Sequence, residues 1–293
     1  MLTQSAASAK RVAEIIEEEP DIVNPEHPVY EIADGSVEFR GVRFDYARPT
    51  PGAHRRSALF NVTFSIRSGE TIGVIGGTGS GKSSLVNLIS RLYDVSQGEI
   101  LVGGRNIRDY DLTALRNEVS VVLQNNILFS GSILDNLRWG NPEATVEDCQ
   151  RVCRIACADE FIEQMPEGYQ THIEQGGTNV SGGQKQRLCI ARALLKQPKI
   201  LLLDDSTSAC DTATDARIRE AIHTQLPEMT KIIIAQRILS VKDCDRILVM
   251  DNGMVTGFDT HENLLKTNTL YQEINAIQHE DGGDFDEQKG GGV

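Results

Sequence analysis

The sequence predicts an α/β fold with a largely parallel core sheet and a helical insertion. Three observations predict it. Short apolar runs of strand length alternate with stretches of helical spacing. A glycine-rich loop, residues 76–83, lies between one such run and one such stretch. Between these alternating units, residues 125–184 turn helical in pattern and more polar. The 293 residues are enough for one large domain or two small ones, and no internal repeat is visible.

Taken in order, "SAASAKRVAEIIEEE" (5–19) reads as a helix closed by Pro20, and "PDIVNPEHPVYEIADG" reads as a Pro-rich polar linker. "VEFRGVRFDY" alternates as a strand, with Val37 and Phe39, then Val42, Phe44 and Tyr46. "ARPTPGAHRRSA" is a loop, "TIGVIG" a buried strand, and "SSLVNLISRLY" (83–93) a helix with Leu85, Leu88, Ile89 and Leu92 on one face. "GEILVGG" and "VSVVLQ" are strands. Beyond the insertion come a helix (183–195), a strand (200–203), a helix (215–226) and a strand (232–235). Asp251-Asn252-Gly253 inside "RILVMDNGMV" marks a hairpin turn. The tail "HEDGGDFDEQKGGGV" is acidic and Gly-rich, the composition of a disordered segment.

Composition excludes some classes. No run approaches 18 apolar residues, so no membrane span is expected, and no signal peptide is visible at the start. The net charge is −13 and is concentrated at the ends: residues 1–34 carry eight acids and two bases, residues 279–293 five acids and one base. No basic footprint for nucleic acid is present. Of six cysteines, Cys149, Cys153 and Cys157 stand at i, i+4, i+8, one face of a helix. A buried stripe of small apolar residues is the favoured reading of that spacing, and a metal site the other. The absence of CxxC pairs fits a reducing compartment.

"GGTGSGKS" fits G-x-x-x-x-G-K-[ST] in full: Gly76, Gly77, Thr78, Gly79, Ser80, Gly81, Lys82 and Ser83, with Ser84 following. Glycines let backbone N–H groups curl round a phosphate, and the helix N-terminus adds partial positive charge. Lys82 would reach the β- and γ-phosphates, and Ser83 would join a Mg²⁺ shell. Asp204, closing the apolar run of 200–203, is the natural second ligand to that metal, held through water.

"NVSGGQKQRLCIARALLKQPKILLLDDSTSACD", with the phosphate loop upstream, resembles the ATP-binding cassette of ABC transporters over residues 35–277. The resemblance implies a P-loop NTPase (RecA-like) core with an antiparallel β subdomain and a helical signature subdomain at about 125–184, the whole nucleotide-binding domain spanning 35–278. It implies ATP and Mg²⁺ as ligands. Tyr46 is similar to the aromatic that stacks on adenine, and Gln124 to the glutamine that contacts metal and senses the γ-phosphate. Ser181, Gly182, Gly183 and Gln184 form the signature loop that reaches a partner's nucleotide, and residues 208–211, "SACD", resemble the D-loop. "NNILFSGSILDNLRWGNPEAT" (125–145) resembles the exporter segment that touches coupling helices. Residues 1–34 then look like the end of a membrane-domain helix and its linker, and 279–293 like an acidic tail. The resemblance implies two partners, a second cassette and a membrane-spanning domain of the same exporter, and a place on the cytoplasmic face of a membrane.

Two positions depart from the family pattern. Asp205 follows the metal aspartate where a glutamate usually polarises the attacking water. Its carboxylate is one methylene short, about 1 Å, and hydrogen-bond reach is narrow. Gln236 stands where the family has a histidine; glutamine can donate a hydrogen bond but cannot carry charge. With Gln124, these are the candidate catalytic residues. Together they imply a site that binds Mg-ATP but turns over slowly, as in one half of a heterodimeric exporter, while the intact signature loop serves the partner. A homodimeric motor with a slow working site, and a soluble non-transport ABC ATPase, remain the alternatives.

Overall fold

The structure, a computed structural model, describes residues 2–46, 57–205 and 209–280. The tail beyond 280, most of the "ARPTPGAHRRSA" loop and Ser208 of the D-loop candidate lie outside the described residues.

In chain order the elements are α1 (Leu2–Ile16), β1 (Val37–Phe44), β2 (Leu59–Ile66), β3 (Thr71–Ile75), α2 (Lys82–Ile89), β4 (Gln97–Val102), β5 (Arg105–Asn106), α3 (Leu112–Glu118) and β6 (Val119–Val122). There follow β7 (Gly131–Ser132), α4 (Ile133–Arg138), α5 (Val146–Ile155), α6 (Asp159–Ile162), β8 (His172–Ile173), α7 (Gly182–Leu195), β9 (Ile200–Asp204) and α8 (Thr212–Gln225). The last are β10 (Thr230–Ile234), β11 (Arg246–Asp251), β12 (Met254–Asp259), α9 (His261–Thr267) and α10 (Thr269–Glu280). No helix among the described residues is long and apolar enough to cross a membrane.

The central sheet runs β12-β11-β3-β10-β9-β6. Its pairs are parallel except β11–β12, which is antiparallel. Both faces of β9 and β10 are covered, so Ile200–Leu203 and Ile232–Ile234 form near-continuous apolar runs, while Thr230 and Lys231 are buried polar residues at the start of β10. One face packs Ile72, Val74, Leu202 and Ile232 against α2 and an antiparallel sheet of order β2-β1-β4-β5. The other packs Leu201, Leu203 and Ile233 under the helices α5, α7 and α8. The β11–β12 hairpin turns at Asn252 and Gly253, both left-handed (φ 47° and 78°), as the Asp-Asn-Gly signal requires.

The alternation in β1 slips because Gly41 (φ 55°) forms a bulge: the register with β2 shifts between Phe39 and Val42, so both apolar pairs stay on the buried face. Other expectations need correction. The first helix runs 2–16, not 5–19. The "linker" residues are seated on the domain: Asn24 donates to Asp111 at 2.6 Å, Val29 bridges to Tyr110, and Ile32 is buried. Helix α2 stops at Ile89, so Leu92 is not on its buried face but exposed. Arg91 there takes a left-handed φ of 47°, with its N–H bonded to Leu88 O and that of Leu92 to Asn87 O. This is a Schellman stop without glycine. Cys157 likewise falls off the helical stripe: α5 ends at Ile155, and Cys157 (φ 52°) is the left-handed residue of a second such stop, closed by Ala158 N–H to Cys153 O at 2.7 Å. Cys149, Cys153 and Cys157 are all buried, burial pushes their thiols up (Cys153 to about 12), and no metal-holding cluster occurs among the described residues. The stripe is core.

Candidate functional site

The candidate residues gather at the C-terminal ends of four neighbouring parallel strands, the edge where open α/β sheets place their ligands. The loop 76–83 leaves β3, Asp204 and Asp205 end β9, Gln124 follows β6, and Gln236 follows β10.

The loop folds back tightly on the sheet. A Cβ on Gly76 (φ 157°) would meet Met250 O at 2.2 Å and Ser80 Oγ at 2.7 Å; one on Gly81 (φ 102°) would meet Leu59 Cδ2 at 2.7 Å. Only glycine satisfies both positions. Gly77 O accepts from Ser80 N–H at 3.1 Å, and Ser80 O accepts from Gly253 N–H at 3.0 Å, pinning the loop to the β11–β12 turn. The Lys82 ammonium donates to Gly76 O at 2.6 Å and Gly77 O at 2.8 Å, so a cation is held directly over the loop. Thr78 and Gly79 are exposed, and nothing lies within 4 Å of a Cβ built on Gly79.

Behind the loop, burial pushes the Asp204 carboxyl above the ordinary aspartate range, while a hydrogen bond from Ser83 and the charge of Lys82 act the other way. A partly buried carboxylate touching a hydroxyl is a donor pair suited to a hard cation. Mg²⁺ takes one or two protein oxygens and completes its shell with water and phosphate, so the pair fits it. ATP fits the glycine-lined backbone and Lys82 on the same grounds.

Asp205 stands next to this pair in a left-handed conformation (φ 46°), with its N–H bonded to Ile234 O at 2.9 Å. Its Oδ2 accepts from Gln124 Nε2 at 3.2 Å and from Gln236 Nε2 at 3.3 Å. The three candidate catalytic side chains thus meet at one oxygen. Gln236 is itself held by its carbonyl, which accepts from Gln278 Nε2 at 2.8 Å.

Tyr46 packs at the start of α2: its hydroxyl pairs with Ser84 Oγ at 3.0 Å and accepts from Asn87 Nδ2 at 3.2 Å, and its ring meets Phe44 and Tyr93 edge-on. Ser181 caps α7 through a capping box, its Oγ accepting from Gln184 N–H at 3.2 Å and its own N–H bonding Gln184 Oε1 at 3.0 Å. Gly182 is exposed, and a Cβ on Gly183 would meet Ala209 O at 3.0 Å. Two features escaped the sequence reading. Gln186 is buried and its Oε1 accepts from Ala209 N–H at 3.0 Å, and Asp211 caps α8 by accepting from Thr214 N–H at 2.9 Å. The second was open to view as an Asx residue before a helix.

A family model described as ABC transporter matches residues 59–208. Among curated relatives, the ABC transporter ATP-binding protein YknV of Bacillus subtilis (strain 168), itself uncharacterized, is 38% identical over 279 residues, covering 95% of this chain and 45% of that protein. YgaD of the same organism, provisionally named a multidrug export ATP-binding/permease protein, is 39% identical, covering 95% of this chain and 47% of its own. Among solved structures, a bacterial Atm1-family ABC exporter with ATP bound superposes with a TM-score of 0.89 at 32% identity, covering 96% of this chain and 48% of that one. The chain spans about half the length of the relatives it matches. Identity near 40% along almost the whole chain, on the same fold, means that it belongs to the ABC transporter family as an ATP-binding domain.

Proposed function

We propose that the chain is the ATP-driven motor domain of a membrane exporter, working at the cytoplasmic face, and that the nucleotide site on its own phosphate loop is catalytically weak. Residues 76–84 and Tyr46 hold the nucleotide. Ser83, Gln124 and Asp204 would hold Mg²⁺, which would supply positive charge to offset that of the nucleotide phosphates. Lys82 exchanges its two backbone carbonyl partners for phosphate oxygens. Ser181, Gly182, Gly183 and Gln184 present N–H groups and a helix N-terminus to the nucleotide of a second cassette. A membrane-spanning domain receives the closing motion. The names of the relatives, which pair ATP-binding with permease and export functions, support the exporter reading.

The observation that carries the weak site is the position of the Asp205 carboxylate. Asp205 Oδ2 is taken up by two amide donors, at 3.2 and 3.3 Å, and its short side chain stops there. Neither amide can accept a proton from Asp205 or carry the charge that a histidine would bring to the γ-phosphate. The different second cassette follows from this: the chain keeps a complete signature loop, so it is suited to complete a competent site on a partner while its own site mainly holds ATP.

The test is Mg-ATP binding and steady-state hydrolysis by the purified chain beside Lys82→Met. Wild type is expected to bind Mg-ATP, Lys82→Met to lose that binding, and turnover to stay below about 0.1 s⁻¹, some hundredfold under an ordinary enzyme rate. No Mg-ATP binding would overturn the motor reading. Turnover near 10 s⁻¹ would overturn the weak site and favour a homodimeric motor.

A further inference from the structure

Behind α8, away from the phosphate loop, lies a cavity of about 410 Å³. Its floor is the central sheet, where Leu203, Lys231 and Ile233 face outward under the helix, and Ile222 and Arg219 of α8 form part of the roof. Lys231 is only 2% exposed, and its Nζ has no hydrogen-bond partner. Thr71 is its register partner on β3, and the buried Thr71 Oγ1 has no partner either. Two unpartnered polar side chains from neighbouring strands thus line the floor of a cavity that also presents Leu203, Ile222 and Ile233, with Arg219, Glu220, His223 and Asp243 among its other lining residues.

Leaving a buried ammonium without a partner is unfavourable by several kcal/mol unless it neutralises or finds an anion. Burial does lower the Lys231 pKa, while Asp245 and Glu228 raise it only through the field of their charges. Asp245 Oδ2 accepts from Thr71 N–H at 2.7 Å, and Asp245 makes no hydrogen bond to Lys231 Nζ. Arg219 is already paired with Asp215 at 3.1 Å. The acids at the mouth, Glu220 and Asp243, are exposed to solvent. His223 is exposed at the rim, and among the described residues none hydrogen-bonds Lys231 Nζ or Thr71 Oγ1.

We infer that this cavity is a binding site for a small carboxylate with a short apolar body, its carboxylate accepting from Lys231 Nζ and Thr71 Oγ1 and its body lying against Leu203, Ile222 and Ile233. A carboxylate supplies both the charge and the acceptors that the floor lacks, and the apolar walls exclude a ligand that is charge alone. The site is separate from the nucleotide loop and does not depend on the proposed motor role.

The probes are hexanoate and its neutral isostere hexanamide, titrated into the purified chain by calorimetry and followed by NMR shifts. Hexanoate is expected to bind about tenfold more tightly than hexanamide. Lys231→Met, which fills the same space without charge, is expected to erase that preference, with folding checked by thermal melting. Ala216→Trp, on the exposed rim of α8, is expected to block hexanoate while leaving Lys231 in place. Equal affinity for the two probes, no binding of either, or unchanged hexanoate binding in Ala216→Trp would overturn the inference. If Lys231→Met does not fold, the probe pair and Ala216→Trp decide it alone.

Discussion

Replacing Asp205 by glutamate extends the carboxylate by one methylene, about 1 Å toward the position from which a base can orient water. In the wild-type site the nearer oxygen is held at 3.2 and 3.3 Å by Gln124 and Gln236, so an extended side chain must leave at least one of these bonds. A positioned base contributes roughly 10²–10⁴ in rate. Recovery of part of that factor gives an expected rise in kcat of about 10- to 100-fold for Asp205→Glu, and more with Gln236→His added. The same change has an opposite effect on stability. Asp205 sits at φ 46°, where aspartate is tolerated better than glutamate. About 0.5 kcal/mol of strain, or a melting temperature lower by about 1–2 °C, should accompany the gain. Steady-state phosphate release at saturating Mg-ATP and a thermal melt read both. An unchanged or lower kcat in a folded Asp205→Glu protein that still binds Mg-ATP would refute the argument that side-chain length limits the site.

Three further changes probe the loop, the cap and the metal aspartate. Gly76→Ala drives a Cβ to 2.2 Å from Met250 O and should lower stability by about 1–3 kcal/mol with loss of Mg-ATP binding, whereas Gly79→Ala meets nothing within 4 Å and should show only the roughly 1 kcal/mol penalty of its left-handed φ; chemical denaturation ranks the two. Ser181→Ala removes the α7 cap, about 1 kcal/mol and so about 2–4 °C of melting temperature, and should also abolish ATP-driven association measured by light scattering. Asp204→Asn should raise the melting temperature without ligand and abolish the Mg²⁺-dependent part of ATP binding. Because burial raises the Asp204 pKa in the folded state, its charge destabilises the fold above that pKa and not below the ordinary aspartate range. The gain should therefore shrink as pH falls from 7 through the raised value.

What was legible in the sequence follows from which local chemistry has a sequence signature. The phosphate loop, the capped signature helix and the Asn252-Gly253 turn each require residue types that stand out in a string, and each is found where they point. The sequence pattern runs past two helix ends because the left-handed residue that stops them is Arg91 in one case and Cys157 in the other, and neither announces a stop as glycine does. Strand β2 is hard to read from the sequence because its buried residues, Leu59, Val62, Phe64 and Ile66, break their alternation between Leu59 and Val62, at a bulge opposite Val42–Phe44 where Asn61 takes a left-handed φ of 49°. At the site, Asp205 and Gln236 are visible as departures from a family pattern, but their convergence with Gln124 on one oxygen is a property of three strand ends brought together by the parallel sheet. Lys231 was invisible for a related reason: inside "TKIII" a lysine reads as a solvated strand residue until both faces of β10 are seen to be covered.

Gln186 joins the two loops that would serve two different ATP sites. It lies within the second turn of α7 beyond Ser181, is 3% exposed, and accepts from Ala209 N–H at 3.0 Å and from Cys210 Sγ at 3.5 Å. Ala209 follows Asp205 by four residues, so a residue just beyond the proposed catalytic carboxylate is tied to the helix whose first turn is proposed to face a second cassette. Gln186→Leu keeps the volume and removes the acceptor, leaving a part-buried backbone N–H unsatisfied at about 1–3 kcal/mol. The expected fall in melting temperature is roughly 2–12 °C at about 2–4 °C per kcal/mol. Affinity for Mg-ATP at the chain's own loop should be unchanged, because none of residues 76–84 touches Gln186 in the bonds described, whereas ATP-driven association should weaken. A Gln186→Leu protein that melts and associates like wild type would mean that the two loops move independently, and that the signature loop is held by its capping box alone.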